Sequence, residues 1–304
     1  MNILVTGTTG YIGSRLAPRL LRDGHSVRGF SRHPDAGAHA FPVVAGDAVS
    51  GTGLKQALEG IDVAYFLIHS MERSLDGPFA ARDHAAAENF AAAAQAAGTQ
   101  RIIYLGGLIP SERPLSPHLA SRLEVEQTLL AAAPGSVALR ASIVVGAGSR
   151  PFRFLVRLVE RLPVLPMPAW RTRRTTPIDE RDMIELLARA ASNQSIAGEV
   201  LDVGGPQEVS YREFIECIRD HLLLGRPTIG LGRISATPVA SRVAAVVANE
   251  QYELIGPLME SLATDLLAGE TRAAELLGVR LHSLDSAIEH ALAEWEATEP
   301  LAAR

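Results

Sequence analysis

The stretch Thr6-Gly7-Thr8-Thr9-Gly10-Tyr11-Ile12-Gly13 restricts the fold of this chain more than any other. Its three glycines lie between an apolar run, Asn2–Thr6, that reads as a buried strand, and a run, Tyr11–Arg22, that reads as a helix closed by Gly24. A strand that passes at once into a helix through such a loop opens a β-α-β unit. Gly7 allows the tight turn, Gly10 lets backbone approach a pyrophosphate, and Gly13 allows the helix to pack closely. The helix start offers unpaired N–H groups and a positive dipole end to phosphate oxygens. Thr8, Thr9, Tyr11 and Ile12 are therefore expected to line a dinucleotide together with the three glycines.

Further strands are predicted at Ser26–Phe30, Pro42–Ala45, Val63–Ile68, Arg101–Leu105 and Val137–Val145. Helices are predicted at Leu54–Leu58, from Pro78 to Ala97, and at Pro117–Ala132. Strands alternating with helices imply a parallel sheet covered on both faces, a doubly wound Rossmann-type α/β fold. This organisation predicts a nucleotide-binding domain over 1–150 and a smaller, mainly helical substrate-side lobe over 151–304, interleaved with it. Within that lobe a helix at Pro151–Arg161, a turn at Pro163–Pro168, a helix over Asp179–Ala191 capped by Asp179, and a strand at Glu199–Val203 are expected. Ser210 and Glu213 form a capping box for a helix over Tyr211–Leu224.

The end of the second strand distinguishes the two nicotinamide cofactors. NAD(H) sites place a carboxylate there for the ribose 2′-hydroxyl. Here the residues are Gly29-Phe30-Ser31-Arg32-His33-Pro34. Ser31 and Arg32 suit a 2′-phosphate, with Arg32 giving a charge-assisted contact, so NADP(H) is expected over NAD(H). Asp47, after the third strand, is placed either to accept from the adenine amino group or simply to form a turn. At the end of the fourth strand Leu67 and Ile68 are expected to line the cofactor. His69-Ser70-Met71 follow, where residues beyond the carboxyl ends of strands face the ligand crevice.

Composition excludes several classes. A formal charge of −5 over 304 residues gives no basic surface for nucleic acid. No apolar run is long enough to span a membrane, and the start MNILVTG has no basic leader, so neither a span nor a signal peptide is expected. The single cysteine, Cys217, reads as a core residue on the apolar side of a helix and suits a reducing cytoplasm. No spaced Cys/His or His/Asp ligand set predicts a metal. Arg140, in mid-strand, requires a carboxylate partner. Arg171, Arg173 and Arg174 read as an ion-paired or solvated loop, or as a clamp for an anionic substrate.

The glycine loop, Gly46-Asp47, Tyr104-Leu105-Gly106-Gly107, Leu139-Arg140 through Gly146, Pro177-Ile178 with Arg181-Asp182-Met183, and Val203-Gly204-Gly205-Pro206 resemble the extended and atypical short-chain dehydrogenase/reductases. The nearest subgroup is the NAD(P)H-binding set that includes NmrA-like proteins and the nucleotide-binding subunit of respiratory complex I. The resemblance covers about residues 1–220. It implies a Tyr-x-x-x-Lys pair on the helix after the fifth strand and a Ser or Thr at that strand's end. This sequence has Gly106 and Gly107 at the strand end, and His118 and Arg122 in place of the pair.

His118 and Arg122 are one helical turn apart. Either His118 is a general acid or base and Arg122 takes over the contact to the nicotinamide ribose, or both are surface residues of a site that has lost its chemistry. His69 is a second candidate for the same pocket, and Gly106, Ser142 and Ile143 are expected near the nicotinamide. Two functions follow. One is an NADP(H)-dependent oxidoreductase, reducing or epimerising a small, largely apolar carbonyl or enone, cytoplasmic and monomeric or homodimeric. The other is a non-catalytic NADP(H)-binding redox sensor or assembly protein.

Overall fold

The computed structural model describes residues 1–34, 39–68, 79–110, 115, 117–167, 169–230, 264–269 and 272–301. Its first half runs β1 (Asn2–Thr6), α1 (Tyr11–Arg22), β2 (Ser26–Ser31), β3 (Val43–Ala45), α2 (Leu54–Leu58), β4 (Val63–Phe66), α3 (Phe79–Ala97), β5 (Arg101–Gly107), α4 (Pro117–Ala132) and β6 (Val137–Ala141). Its second half contributes β7 (Val144–Val145), α5 (Arg150–Arg161), β8 (Leu165–Met167), β9 (Arg174–Thr175), β10 (Ile178–Asp179) and α6 (Glu180–Ala190). After these come β11 (Val200–Val203), β12 (Val209–Ser210), α7 (Tyr211–His221), β13 (Thr228–Gly230), α8 (Arg272–Leu277) and α9 (Leu284–Glu296).

Seven strands form one parallel sheet in the order β11-β6-β5-β4-β1-β2-β3. The chain winds outward in one direction from β1 through β3 and in the other from β4 through β11. The order therefore reverses between β1 and β4, and the crevice beyond the carboxyl ends of these two strands is where such sheets bind ligands. The expected doubly wound Rossmann-type fold is the one observed.

Period-two alternation distributes the strand residues between the faces. Ile3, Val5, Tyr65, Ile103 and Leu139 pack with Leu16 and Leu20 of α1, Leu187 of α6 and Leu277 of α8. Leu4, Phe66, Ile102, Tyr104 and Ala138 pack on the opposite face with Leu54 of α2, Phe90 of α3 and Leu129 of α4. Ala86, Ala87, Ala91 and Ala94 of α3 are buried in this second layer, where short side chains let the helix lie close to its neighbours. A third core joins Phe152 and Phe154 of α5, Phe214 of α7, and Leu292 and Trp295 of α9.

Differences between the sequence-based elements and the structure include four that concern strand pairing or a helix end. The strand expected over Val137–Val145 breaks after Ala141: Ser142 donates to Val203 at 2.9 Å, and β7 leaves the sheet to pair with β10. β5 runs on to Gly107 because Gly106 and Gly107 pair with Arg140 and Ala141. The proline turn contains β8, which pairs with β13. The helix expected to reach Leu224 stops at His221, and Leu223 takes a left-handed conformation at φ 56°. None of the described helices is long and apolar enough to cross a membrane.

Arginines, one buried and one half-buried, tie the layers together. Arg140 donates to both carboxylate oxygens of Glu126 on α4, at 2.8 and 2.6 Å, which is the partner its position required. Arg101 is 3% exposed and instead donates to carbonyls of Gly135, Ala190 and Asn193 at 2.7–2.9 Å. The carbonyls at the end of α6 favour a cation through the helix dipole, although burial holds the Arg101 pKa below its usual range.

Candidate functional site

Gly7, at φ +66°, makes the turn out of β1. Gly10 donates to the Gly7 carbonyl at 2.9 Å, closing the loop. A Cβ on Gly13 would collide with that same carbonyl, so this helix start can approach the loop only with glycine there. The Thr6 hydroxyl donates to Tyr65 O at 3.0 Å and accepts from Leu67 N at 2.9 Å. It thereby fastens the ends of β1 and β4 together at the switch point.

α1 starts at Gly10 with no side-chain cap and no acidic residue in its first turn. Its first N–H groups therefore meet no side-chain acceptor, and they lie at the positive end of the helix dipole. Thr9 and Gly10 are exposed, while Thr8 is buried and Tyr11 and Ile12 are half-buried. This arrangement fits a dinucleotide pyrophosphate: backbone donors, no Cβ at the closest approach, and no acidic residue in the helix's own first turn.

The Tyr11 side chain is engaged elsewhere. Its hydroxyl donates to Glu180, and Arg15 pairs with the same carboxylate. The Arg15 guanidinium lies 4.6 Å from the Tyr11 ring centroid and reaches Glu294 at 2.5 Å. A Cβ on Gly148 would collide with the Tyr11 ring. Burial first, then the Glu180 carboxylate, push the phenol far above its usual range, so it stays protonated. Glu180 was not foreseen as part of the site. An acidic residue in a helix's first turn reads as dipole complementation, and nothing local reveals a partner 169 residues away.

Around the crevice, Ser31 is buried and its hydroxyl accepts from His33 N at 3.1 Å. Arg32 is exposed and makes no hydrogen bond or ion pair with any described residue. Asp47 accepts from Val49 N at 2.9 Å, which makes it a turn residue with one oxygen committed. Leu67 and Ile68 are half-buried just beyond β4. Gly106 is buried, and a Cβ there would press on the Tyr104 ring. The Ser142 hydroxyl lies 3.0 Å from that of Thr175. Ile143, half-buried, accepts from Ile178 N at 2.9 Å.

His69 lies outside the described residues, and of His118 only the backbone, in the first turn of α4, is described. Arg122, one turn further along, is half-buried and donates to Leu105 O at 3.2 Å, with its guanidinium 5.6 Å from the Tyr104 ring. That holds a cation against the carboxyl end of β5, beside Gly106. The arginine cluster resolves into ion pairs for two of its members: Arg174 meets Glu208 at 2.7 Å and Arg173 meets Asp265 at 3.9 Å.

Residues 7–142 match the family described as NAD(P)H-binding, over the loop, crevice and strands just described. This segment is similar to NAD(P)H-binding domains. Among curated relatives, an uncharacterized protein of Mycobacterium tuberculosis is 28% identical over 267 residues, covering 86% of this chain and 27% of its own length. The chain thus spans about a quarter of that relative. The ceramide reductase of Caulobacter vibrioides is 31% identical over 170 residues, 54% of this chain and 53% of that protein. Among solved structures, UDP-glucuronic acid 4-epimerase from Bacillus cereus, in complex with UDP-glucuronic acid and NAD, matches with a TM-score of 0.73. It is 20% identical and covers 98% of this chain and 99% of that chain, a likeness of fold.

Proposed function

We propose that this chain is a short-chain dehydrogenase/reductase, an NADP(H)-dependent oxidoreductase that reduces, or epimerises through transient oxidation, a small and largely apolar carbonyl substrate. The observation that carries the reading is Arg122, held on the Leu105 carbonyl at the end of β5, where the family pattern has a lysine one turn after its tyrosine. A cation there contacts the nicotinamide ribose and favours the neutral form of a histidine one turn earlier, so that His118 transfers the substrate proton. The bound dinucleotide supplies or accepts hydride. The chain's own groups hold it: α1's N-terminus and the glycine loop meet the pyrophosphate, while Ser31 and Arg32 meet the 2′-phosphate. The Ser31 oxygen accepts from His33 N, which leaves its O–H free to donate to such a phosphate. Asp47, Leu67, Ile68, Gly106, Ser142 and Ile143 line the remainder, and His69 flanks the nicotinamide.

An apolar carbonyl substrate is supported by the likeness to a ceramide reductase. The single cysteine suits a cytoplasmic enzyme, acting as a monomer or homodimer. A second reading, a non-catalytic NADP(H)-binding sensor or assembly protein, is favoured by Gly106 and Gly107 standing where a hydroxyl residue is usual. NADPH absorbance across a panel of carbonyls and quinones separates the two. Substrate-dependent loss supports the enzyme; tight NADPH binding without loss on any member supports the binder. A cofactor-bound structure with His118 more than about 8 Å from nicotinamide C4 would remove it from direct proton transfer.

A further inference from the structure

Outside the dinucleotide loop, three side chains with metal-ligating atoms converge between α7 and α9. Cys217 and His221 stand one turn apart on α7, and Asp285 lies in the first turn of α9. The Cys217 Sγ is 3.3 Å from Asp285 Oδ1, and His221 Nε2 is 3.9 Å from the same oxygen. One ligating atom from each residue falls within 4.8 Å of the other two. Zinc binds sulfur at about 2.3 Å, imidazole nitrogen at about 2.0–2.1 Å and carboxylate oxygen at about 2.0–2.2 Å; tetrahedral bonds of those lengths set ligand atoms about 3.4–3.6 Å apart. The two distances to Asp285 Oδ1, 3.3 and 3.9 Å, bracket that spacing.

The histidine is also oriented for the task. Its Nδ1 lies 2.9 Å from the Cys217 carbonyl oxygen. A carbonyl only accepts, so Nδ1 carries the proton and the neutral ring keeps its lone pair on Nε2. Metal-binding histidines are held in this way, through the nitrogen that does not touch the ion. His221 is the last residue of α7, where the negative end of the helix dipole favours a cation. The Asp285 side chain is 68% exposed, so an ion has a path in from solvent.

We propose that Cys217, His221 and Asp285 bind a zinc-type divalent cation that clamps α7 to α9. On binding, the thiol proton that Cys217 shares with Asp285 leaves to solvent and a sulfur–metal bond replaces it. Thiolate and carboxylate then balance the dication, and water takes the fourth position. Thiolate and imidazole select zinc or cobalt over magnesium and calcium. The sequence carried only half of this signal, a Cys-x-x-x-His pair; its third member arrives 68 residues after the cysteine.

The single cysteine makes the test specific. The full chain, stripped with EDTA, is titrated with Co²⁺ and followed by thiolate-to-cobalt charge-transfer absorption in the near ultraviolet, which only Cys217 can produce. The expected result is a band that saturates at about one equivalent, is displaced by Zn²⁺ but not by Mg²⁺, and is absent in Cys217→Ser. His221→Ala and Asp285→Asn should each weaken binding by more than the roughly tenfold that losing an outer hydrogen-bond partner costs. Asp285→Asn alters an exposed residue, so it reads affinity even if a change at Cys217 prevents folding. Absence of the band in the folded wild-type chain overturns the proposal. So does a Zn²⁺-induced rise in Tm that is equal in wild type and Cys217→Ser, since that places the ion on other histidines.

Discussion

The hydroxyl of Tyr11, the first residue of α1, donates to the carboxylate of Glu180, the first residue of α6. Arg15 meets the same carboxylate, and the Glu180 side chain is 8% exposed. One buried acid therefore fixes the start of the dinucleotide-loop helix against the second half of the chain. Glu180→Ala leaves the Tyr11 phenol without its acceptor and Arg15 with Glu294 alone, and should lower stability by about 3 kcal/mol in urea denaturation. Tyr11→Phe removes only one donor and should cost about 1 kcal/mol. Because the anchor acts on the loop as a whole, Glu180→Ala should weaken NADPH and NADH to the same degree. A change confined to one cofactor would show that Glu180 acts through the ribose end instead.

In the proposed reading, Arg32 carries the choice between cofactors. It is exposed just beyond β2 and forms no ion pair with any described residue. A charge-assisted contact to a 2′-phosphate contributes about 1.5–3 kcal/mol, which is roughly a ten- to hundredfold factor in Kd. Arg32→Ala should therefore weaken NADPH by about that factor and leave NADH nearly unchanged, read by fluorescence titration. Equal losses for both cofactors would remove the 2′-phosphate from its role.

His118 and Arg122 separate chemistry from binding. His118→Ala should reduce kcat by about 10²–10⁴, the range for loss of a general acid or base, while leaving NADPH affinity within about twofold. Arg122→Lys keeps the charge but loses the planar fork that reaches Leu105 O. It should retain part of the activity that Arg122→Ala loses. Stopped-flow hydride transfer at saturating NADPH measures both, and wild-type rates in His118→Ala would leave the proton to water.

What was legible in the sequence is what local chemistry determines. The glycine loop needs Gly7 at positive φ and Gly13 without a side chain. The capping box at Ser210 and Glu213 and the Asp179 cap form within a few residues of themselves. Arg140 announced a carboxylate partner because an isolated charge in mid-strand is too costly. Most of the features that escaped join distant segments. β11 pairs with β6 across some sixty residues, yet its apolar run differs little from those of other short strands. The break after Ala141 follows from β7 pairing with β10, not from any breaker residue in Ser142-Ile143. Glu180 and Asp285 read locally as helix-start acids, and only tertiary packing gives them partners.

Glu185 provides the acid-sensitive link between α1 and α6. It accepts from Arg189 at 2.6 Å and from Arg19 at 2.8 Å. Burial alone would raise its pKa, but these two hydrogen bonds and charges outweigh it and hold the carboxyl below its ordinary value of 4.5. A carboxyl with a depressed folded pKa stabilises the fold fully above its unfolded value, and that contribution is lost as pH falls through the folded value. Glu185→Gln should thus cost about 1 kcal/mol at pH 7, limited by the partial exposure of the pair. The difference between wild type and variant should shrink below about pH 4.5 and vanish once the wild-type carboxyl is protonated. Urea midpoints at pH 7, 5 and 3.5 read this directly. The absence of a gap at pH 7 would mean that hydrogen bonding rather than charge supplies the link, because glutamine keeps the acceptor oxygen and loses only the ionisation.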